Sequence, residues 1–417
     1  MNRALYSLIG YLLLPVLLAR LLVKSFNNSA YRQDMIQRLG WVRTNTAPVI
    51  WIHCVSVGEF RAAIVLIDRL LERHPEQKIL ISSTTPTGFA AVREHYANQV
   101  LQAYFPFDLP WTIKRYIKRI KPKACILLET EIWPNLIHQL NQKQIPTLLV
   151  NARLSERSLQ KYQNFAPKLA KQTLNKLTKI AAQNTNSAQR FITLGAAQSK
   201  VLNAGNIKFE QALSSNHSSN QALTEIVGDR PCLVCASTHE GEEMKILKHF
   251  KQIKAQLGDA LLVIVPRHFE RFDHVFKLIQ NTGLSVVRRS AAQPVKTTDV
   301  LLGDSMGEMM GYFHIADVVF VGGSLNHTGG HNMLEPAALA KPIIFGPNVF
   351  NFSEISQALL KAEAAIQVKD VDDLFSTVQI LLKDSNKAQN LGVNAKHYVD
   401  ANQGAVDTLE QLIAQAL

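Results

Sequence analysis

A chain of 417 residues with a formal net charge of +12 is long enough for two domains and basic enough to favour anionic partners. Its ordinary content of 20 Gly and 16 Pro excludes collagen-like and low-complexity classes, and its 4 cysteines, all in or beside apolar runs, make no disulfide framework. No RNP-type aromatic motif, C2H2 spacing or Arg-rich tract speaks for nucleic acid as a partner.

The first element is apolar almost without a break from Ala4 to Val23, about the twenty residues a helix needs to cross a bilayer. Pro15 and Arg20 interrupt it, and Arg20 lies close enough to the end to snorkel. Arg3 precedes it, and Lys24, Arg32, Arg38 and Arg43 follow. This bias predicts a membrane anchor at residues 1–25, with the main body on the cytoplasmic side. No clean small-x-small cleavage site follows, which argues against a removed signal peptide. A spanning helix and one lying in the interface both remain open.

Short apolar runs then alternate with amphipathic ones. Val49–Val55, Lys78–Ser82, Ala124–Leu128, Thr147–Asn151 and Lys179–Gln183 read as strands; Phe60–Arg73, Gly88–Tyr96 and Trp133–Leu140 read as helices. The rhythm predicts a parallel sheet covered on both faces, in a domain over residues 26–209. Residues 210–225, rich in Ser, Asn and Gln, read as a linker. The rhythm restarts with strands at Cys232–Ala236, Leu261–Val265, Leu284–Val287, Val300–Leu302, Val318–Val321 and Pro342–Phe345, in a second domain over residues 226–395. Helical sequence runs from about Ser385 to Leu417. The predicted class is α/β, two doubly wound Rossmann-like domains facing a cleft. Cys232 and Cys235 have C-x2-C spacing, but in a strand they point to opposite faces, so buried thiols fit better than a metal site.

The chemistry-bearing residues fall at strand ends. Glu59, after Gly58 and at a helix start, is either a helix cap or a carboxylate able to take a proton from an attacking hydroxyl. Ser82–Gly88 makes an N-cap or an anion site. Glu129 and Glu131, beside Trp133 and Pro134, form a salt-bridged turn or a polarising pair. Arg153 has the fork to meet a phosphate, and Lys208 closes the first half as a solvated residue or a cleft cation. In the second half Pro266, Arg267 and His268 end a strong strand. Gly303–Glu308 and Gly329–Pro336 offer small residues and free amides to a ligand, with Glu335 one turn into a helix. His327 and His331 straddle a Gly-rich loop and make a poor metal pair.

Taken together, HCVSVGE, ETEIWPN, NARLSERS, GNIKF, PRH, GDSMGE, GGS and GGHNMLEPAA resemble the 3-deoxy-D-manno-octulosonic acid (Kdo) transferases of lipopolysaccharide biosynthesis, glycosyltransferase family 30. The resemblance runs from the anchor to about Glu354. It implies the GT-B fold and inverting transfer of Kdo from CMP-Kdo to the lipid A precursor, lipid IVA. It implies Glu59 as general base, with Glu131 and Lys208 assisting. Pro266, Arg267, Met306, Gly307, Glu308, Asn332, Met333, Leu334 and Glu335 match stretches that hold CMP. It implies no cofactor and no metal, an anionic membrane surface as a further partner, and a terminal helix over residues 396–417 that packs back on the first domain. Two other readings share some of these features: another GT-B enzyme, such as a nucleotide-sugar epimerase or a GlcNAc transferase, and a non-catalytic membrane-bound scaffold.

Overall fold

The computed structural model describes residues 1–214 and 220–417. The chain forms two compact units, the first from Met1–Gln211 with Gln403–Leu417 and the second from Ala212–Asn402. The middle of the segment read as a linker, residues 215–219, lies outside the described residues.

The first unit begins with helix α1 (Arg3–Asn27). Strands and helices then alternate: β1 (Val49–His53), α2 (Val57–Arg73), β2 (Lys78–Ser83), α3 (Pro86–Tyr96), β3 (Leu101–Tyr104), α4 (Pro110–Ile120), β4 (Pro122–Leu128) and α5 (Pro134–Gln142). They continue as β5 (Thr147–Ala152), α6 (Glu156–Phe165), α7 (Pro167–Leu174), β6 (Lys179–Ala182), α8 (Thr185–Thr193), β7 (Val201–Asn203) and α9 (Lys208–Ser214). The strands make one parallel sheet in the order β3-β2-β1-β4-β5-β6-β7. Burial on both faces explains why the strands read as apolar runs. Val49 and Trp51 face a core shared with Ile113, Ile117 and Leu140, while Ile50 and Ile52 face Phe60, Ala63 and Ile67 on the other side.

The second unit holds α10 (Asn220–Val227), β8 (Cys232–Thr238), α11 (Glu242–Ile253), β9 (Leu261–Pro266), α12 (Phe272–Asn281), β10 (Val286–Arg288), β11 (Val300–Leu302) and α13 (Met309–Ile315). It continues with β12 (Val318–Val321), α14 (Leu334–Ala338), β13 (Ile343–Phe345), α15 (Ser353–Lys361), β14 (Ile366–Gln367), α16 (Val371–Lys383) and α17 (Ser385–Ala401). Its parallel sheet has the order β10-β11-β9-β8-β12-β13-β14.

The final helical stretch is two helices. Gly404, at φ +100, breaks it, and α18 (Ala405–Ala416) returns to the first unit. There Leu409 and Ile413 are fully buried in the core that holds Ile50 and Ile67. Arg69 and Asp407 pair at 2.6 Å at its edge. The division between units thus falls at Gln403, not at residue 396. The stretch taken as linker is helical on both sides of the undescribed residues, in α9 and α10.

Candidate functional site

Each sheet has a point where the chain switches direction across it, between β1 and β4 in the first unit and between β8 and β12 in the second. Loops at the carboxyl ends of such neighbours are where open α/β sheets bind ligands.

In the first unit, Ser56 caps α2, and Glu59 lies in the first turn of that helix, since α2 starts three residues before the apolar pattern suggests. The Val55 amide donates to Glu59 Oε2 at 2.8 Å, and the Ser56 hydroxyl lies 3.4 Å from Oε1. The sequence Ser-x-x-Glu therefore forms a capping box that fixes the carboxylate. Burial pushes the Glu59 carboxyl up to about 7, the Val55 amide opposes this, and the charges of Glu129 and Glu131 add to it. A carboxyl poised near neutrality exchanges protons readily at physiological pH.

The turn after β4 supplies the other two carboxylates. Glu129 sits at φ +54, with its amide donating to the Val150 carbonyl and its own carbonyl accepting from the Arg153 amide. These bonds tie the β4 loop to the β5 loop. The Glu129 carboxylate pairs with Lys208 Nζ at 3.3 Å. Asn206 Oδ1 accepts from the Lys208 amide, and Asn151 Oδ1 accepts from the Ile207 amide, so two side-chain amides position the start of α9. Burial also pushes Glu131 up to about 7, and the Glu129 charge adds to this. The Trp133 indole N–H pulls weakly the other way without forming a hydrogen bond of normal geometry. Glu131 lines a cavity of about 370 Å³ with Met1, Tyr6, Trp133, Tyr162 and Thr173. Glu59, Glu129, Glu131 and Lys208 thus gather at one end of the sheet.

His53, which opens the HCVSVGE segment, has a structural place. Its ring is fully buried, lies 2.9 Å from Ser82 Oγ through Nδ1, and stacks on Phe105 with centroids 3.8 Å apart. Burial pushes it down to about 3, so it stays neutral. Arg153 adjoins this end of the sheet through the backbone bond to Glu129.

The second unit builds its strand ends from backbone. Gly322 leaves no room for a side chain, since a Cβ there would lie 2.7 Å from the Ser237 carbonyl oxygen. Gly323, Gly329 and Gly330 all have positive φ, and the amides of Gly329 and Gly330 both donate to the Gly323 carbonyl. Asn332 Nδ2 donates to Glu335 Oε1 at 2.9 Å, while Asn332 Oδ1 accepts from the Leu334 amide. Met333 and Leu334 are fully buried, so what they offer a ligand is main chain. Pro266 ends β9 and is buried; Arg267 is exposed, with its amide bonded to the Thr238 carbonyl. Met306 is 65% exposed, Gly307 has φ +81, and Glu308 pairs with Arg289 at 2.9 Å.

Two residues here, Glu242 and His239, were not singled out from sequence. Glu242 is buried and accepts from the amides of His239, Gly323 and Leu325, so one carboxylate stitches the β8 loop to the β12 loop. His239 and His331 meet through their Nε2 atoms at 2.7 Å with stacked rings. Burial first, then Arg267, His239 and His268, push His331 down to about 3. A signal was available: Gly241-Glu242 follows the end of β8 as Gly58-Glu59 follows the end of β1. No group of three or more His, Cys, Asp or Glu able to hold a metal ion occurs among the described residues.

Comparison with known proteins agrees with this arrangement. A family profile described as 3-deoxy-D-manno-octulosonic-acid transferase (kdotransferase) matches residues 33–211, and one for glycosyl transferases group 1 matches residues 239–398. A 3-deoxy-D-manno-octulosonic acid transferase of Haemophilus influenzae is 38% identical over 99% of this chain and 98% of its own. The C-terminal CMP-Kdo binding domain of WaaA from Acinetobacter baumannii is 35% identical over 46% of this chain and 96% of its own, at a TM-score of 0.40. A UDP-GlcNAc 2-epimerase from Neisseria meningitidis is 13% identical at a TM-score of 0.60, over 89% of this chain and 99% of its own, which is a likeness of fold alone. With two Rossmann-like parallel-sheet units of GT-B type and a close relative matched end to end, the chain belongs to the 3-deoxy-D-manno-octulosonic acid transferase family.

Proposed function

We propose that this protein transfers Kdo from CMP-Kdo to a hydroxyl of the lipid A precursor, lipid IVA, with inversion and without a metal ion. The observation that carries the reading is the group of three carboxylates, Glu59, Glu129 and Glu131, with Lys208 paired to Glu129 and the Glu59 carboxyl pushed up to about 7. The acceptor hydroxyl gives its proton to Glu59 as its oxygen bonds the anomeric carbon of Kdo. The bond from that carbon to the CMP phosphate oxygen breaks, and CMP leaves with the electron pair. Attack from the face opposite the departing phosphate inverts the centre. Glu131 and Lys208 flank the base, Lys208 offering a cation to the negative charge of the sugar acid. Arg267 and the stretch Met306–Glu308 hold the CMP phosphate, and Asn332 with Glu335 holds the ribose. Helix α1, long and apolar enough to engage a membrane, keeps the enzyme at the anionic cytoplasmic face of the inner membrane, where the acceptor lies.

The test is transfer from CMP-Kdo to lipid IVA in the presence of EDTA, with products read by mass, for wild type and Glu59→Gln. We expect transfer by wild type and its near-complete loss in the variant. A folded, CMP-binding wild type that makes no product would overturn the acceptor assignment. Near-normal turnover by Glu59→Gln would remove Glu59 as base.

A further inference from the structure

Helix α1 is fastened to the first unit at its amino-terminal end, and the chain that follows it docks again near the same place. Arg3 Nη1 and Ser7 Oγ both donate to Asn135 Oδ1, at 3.2 and 3.0 Å, and the Tyr6 hydroxyl donates to Asp108. Gly10 lies so close to Leu109 that a Cβ would come within 2.8 Å of its side chain. After the helix the chain turns twice in short 3-10 segments, Ser29–Tyr31 and Met35–Leu39, and docks again. The Arg38 carbonyl accepts from the Phe107 amide at 2.8 Å, and Arg38 Nη2 donates to the Thr84 carbonyl at 2.9 Å. Tyr6, Gly10 and Arg38 therefore grip one stretch, 107–109. A helix of 25 residues is about 37 Å long, yet the chain leaves and regains the same point of one unit.

A helix that crosses a bilayer delivers its ends to opposite faces, about 30 Å apart. Here the amino-terminal end is bound into a buried polar network. Asp108 also accepts from the amides of Asn135 and Leu136, the first turn of α5. Carrying Arg3–Ser7 to the far side would strip partners from a fully buried carboxylate and leave Asn135 exposed to the same loss. The opposite face of α1 is unpartnered and apolar: Leu5, Leu8, Leu12, Val16, Val23 and Phe26 are exposed at near-helical spacing. The border of this face has the composition of a headgroup layer. A groove of about 630 Å³ beside its first turns is lined by Arg3, Tyr11, Trp111, Lys114 and Lys143. Arg115 lies over the rings of Trp41 and Trp111, at 4.3 and 4.7 Å. Aromatic rings and cations side by side suit the boundary of an anionic bilayer.

We propose that α1 lies in the plane of the membrane interface, its exposed face against the acyl chains of an anionic bilayer, and does not cross it. The amino terminus then stays on the same side as the first unit. The proposal rests on the membrane reading of α1 given above and is independent of the sugar chemistry.

Nitroxide labels placed singly at Leu8, Leu12, Val16 and Val23 of the full chain, bound to phosphatidylethanolamine–phosphatidylglycerol vesicles, test it. We expect all four at similar shallow depth, about 5–10 Å below the headgroups. A profile deepest near the middle of the helix, returning to the surface at both ends, would overturn the proposal. In cells, Asn2→Cys should be labelled by an impermeant maleimide only in inverted vesicles, against a low background because all four native cysteines are buried. Labelling in intact spheroplasts would also overturn it. Failure to bind vesicles, or labels broadened by a second copy of the chain, would remove the bilayer as occupant, and with it the membrane reading, while leaving the transfer assay untouched.

Discussion

The two sheets share a switch point and differ in what stands at its mouth. In the first unit side chains carry the site: Glu59, Glu129, Glu131 and Lys208, two of the carboxyls pushed up to about 7. In the second, close-packed backbone does: Gly322, Gly323, Gly329 and Gly330, whose amides are bonded within the loops, and one buried carboxylate, Glu242, that ties those loops together. The lesson is that one mouth offers titratable groups in a partly dry place, whereas the other offers closely approached main chain with few side chains in the way.

That contrast can be attacked directly. Glu59→Gln keeps the capping box, because Gln serves at that helix position, but removes the base. We expect kcat to fall about 10²–10⁴-fold with no loss in thermal midpoint near neutral pH; a large loss of stability instead would mean that Glu59 acts mainly as a cap. Gly322→Ala attacks the other mouth. Its Cβ would press on the Ser237 carbonyl, costing about 1–3 kcal/mol. CMP affinity, read by calorimetry, should fall while the pH dependence of the residual turnover stays as in wild type. Unchanged CMP binding would break the backbone half of the comparison.

The pH profile sharpens the side-chain half. With the Glu59 carboxyl raised to about 7, kcat/KM should rise through that region and level off above it, as the base form accumulates. The same shift has a stability consequence. A carboxyl with a folded pKa above its unfolded value of about 4.3 contributes stability below that value and loses it as pH rises towards 7. Glu59→Gln should therefore gain thermal stability relative to wild type at pH 8 and not at pH 4. A difference independent of pH would show the carboxyl to be unperturbed. The smallest effect belongs to Met306→Ala. That side chain is largely exposed, so denaturation should move by less than about 0.5 kcal/mol, leaving any loss of CMP affinity as a clean measure of its contact with the ligand.

Much of this was legible in the sequence because fully buried parallel strands announce themselves as apolar runs. Val49–His53, Pro122–Leu128 and Leu261–Pro266 were placed to within a few residues, and so were the polar segments that follow them. Short edge strands were not: Leu101–Tyr104 begins with exposed positions and lacks the signal. The basic helix α4 was missed for a related reason, since Lys and Arg dominate its outer face while Ile113, Ile117 and Ile120 turn inward. Long-range pairings were beyond reach. Nothing local to Lys208 points to Glu129, and nothing local to Ser7 points to Asn135. The apolar run at the amino terminus carries the composition of a bilayer span, and only its polar partners in α5 separate an in-plane helix from a crossing one.

One further consequence follows from α18. The core beneath β1 and α2 is closed by Leu409 and Ile413, which are synthesised after the second unit. The first unit is otherwise complete at Gln211, so the whole second unit is synthesised before its missing piece arrives. At about 5–20 residues per second that is a wait of roughly 10–40 s. Apolar surface stays open on the carboxylate-bearing unit throughout this time. A chain cut short before α18 would carry Glu59, Glu129 and Glu131 on a unit lacking one wall of its core.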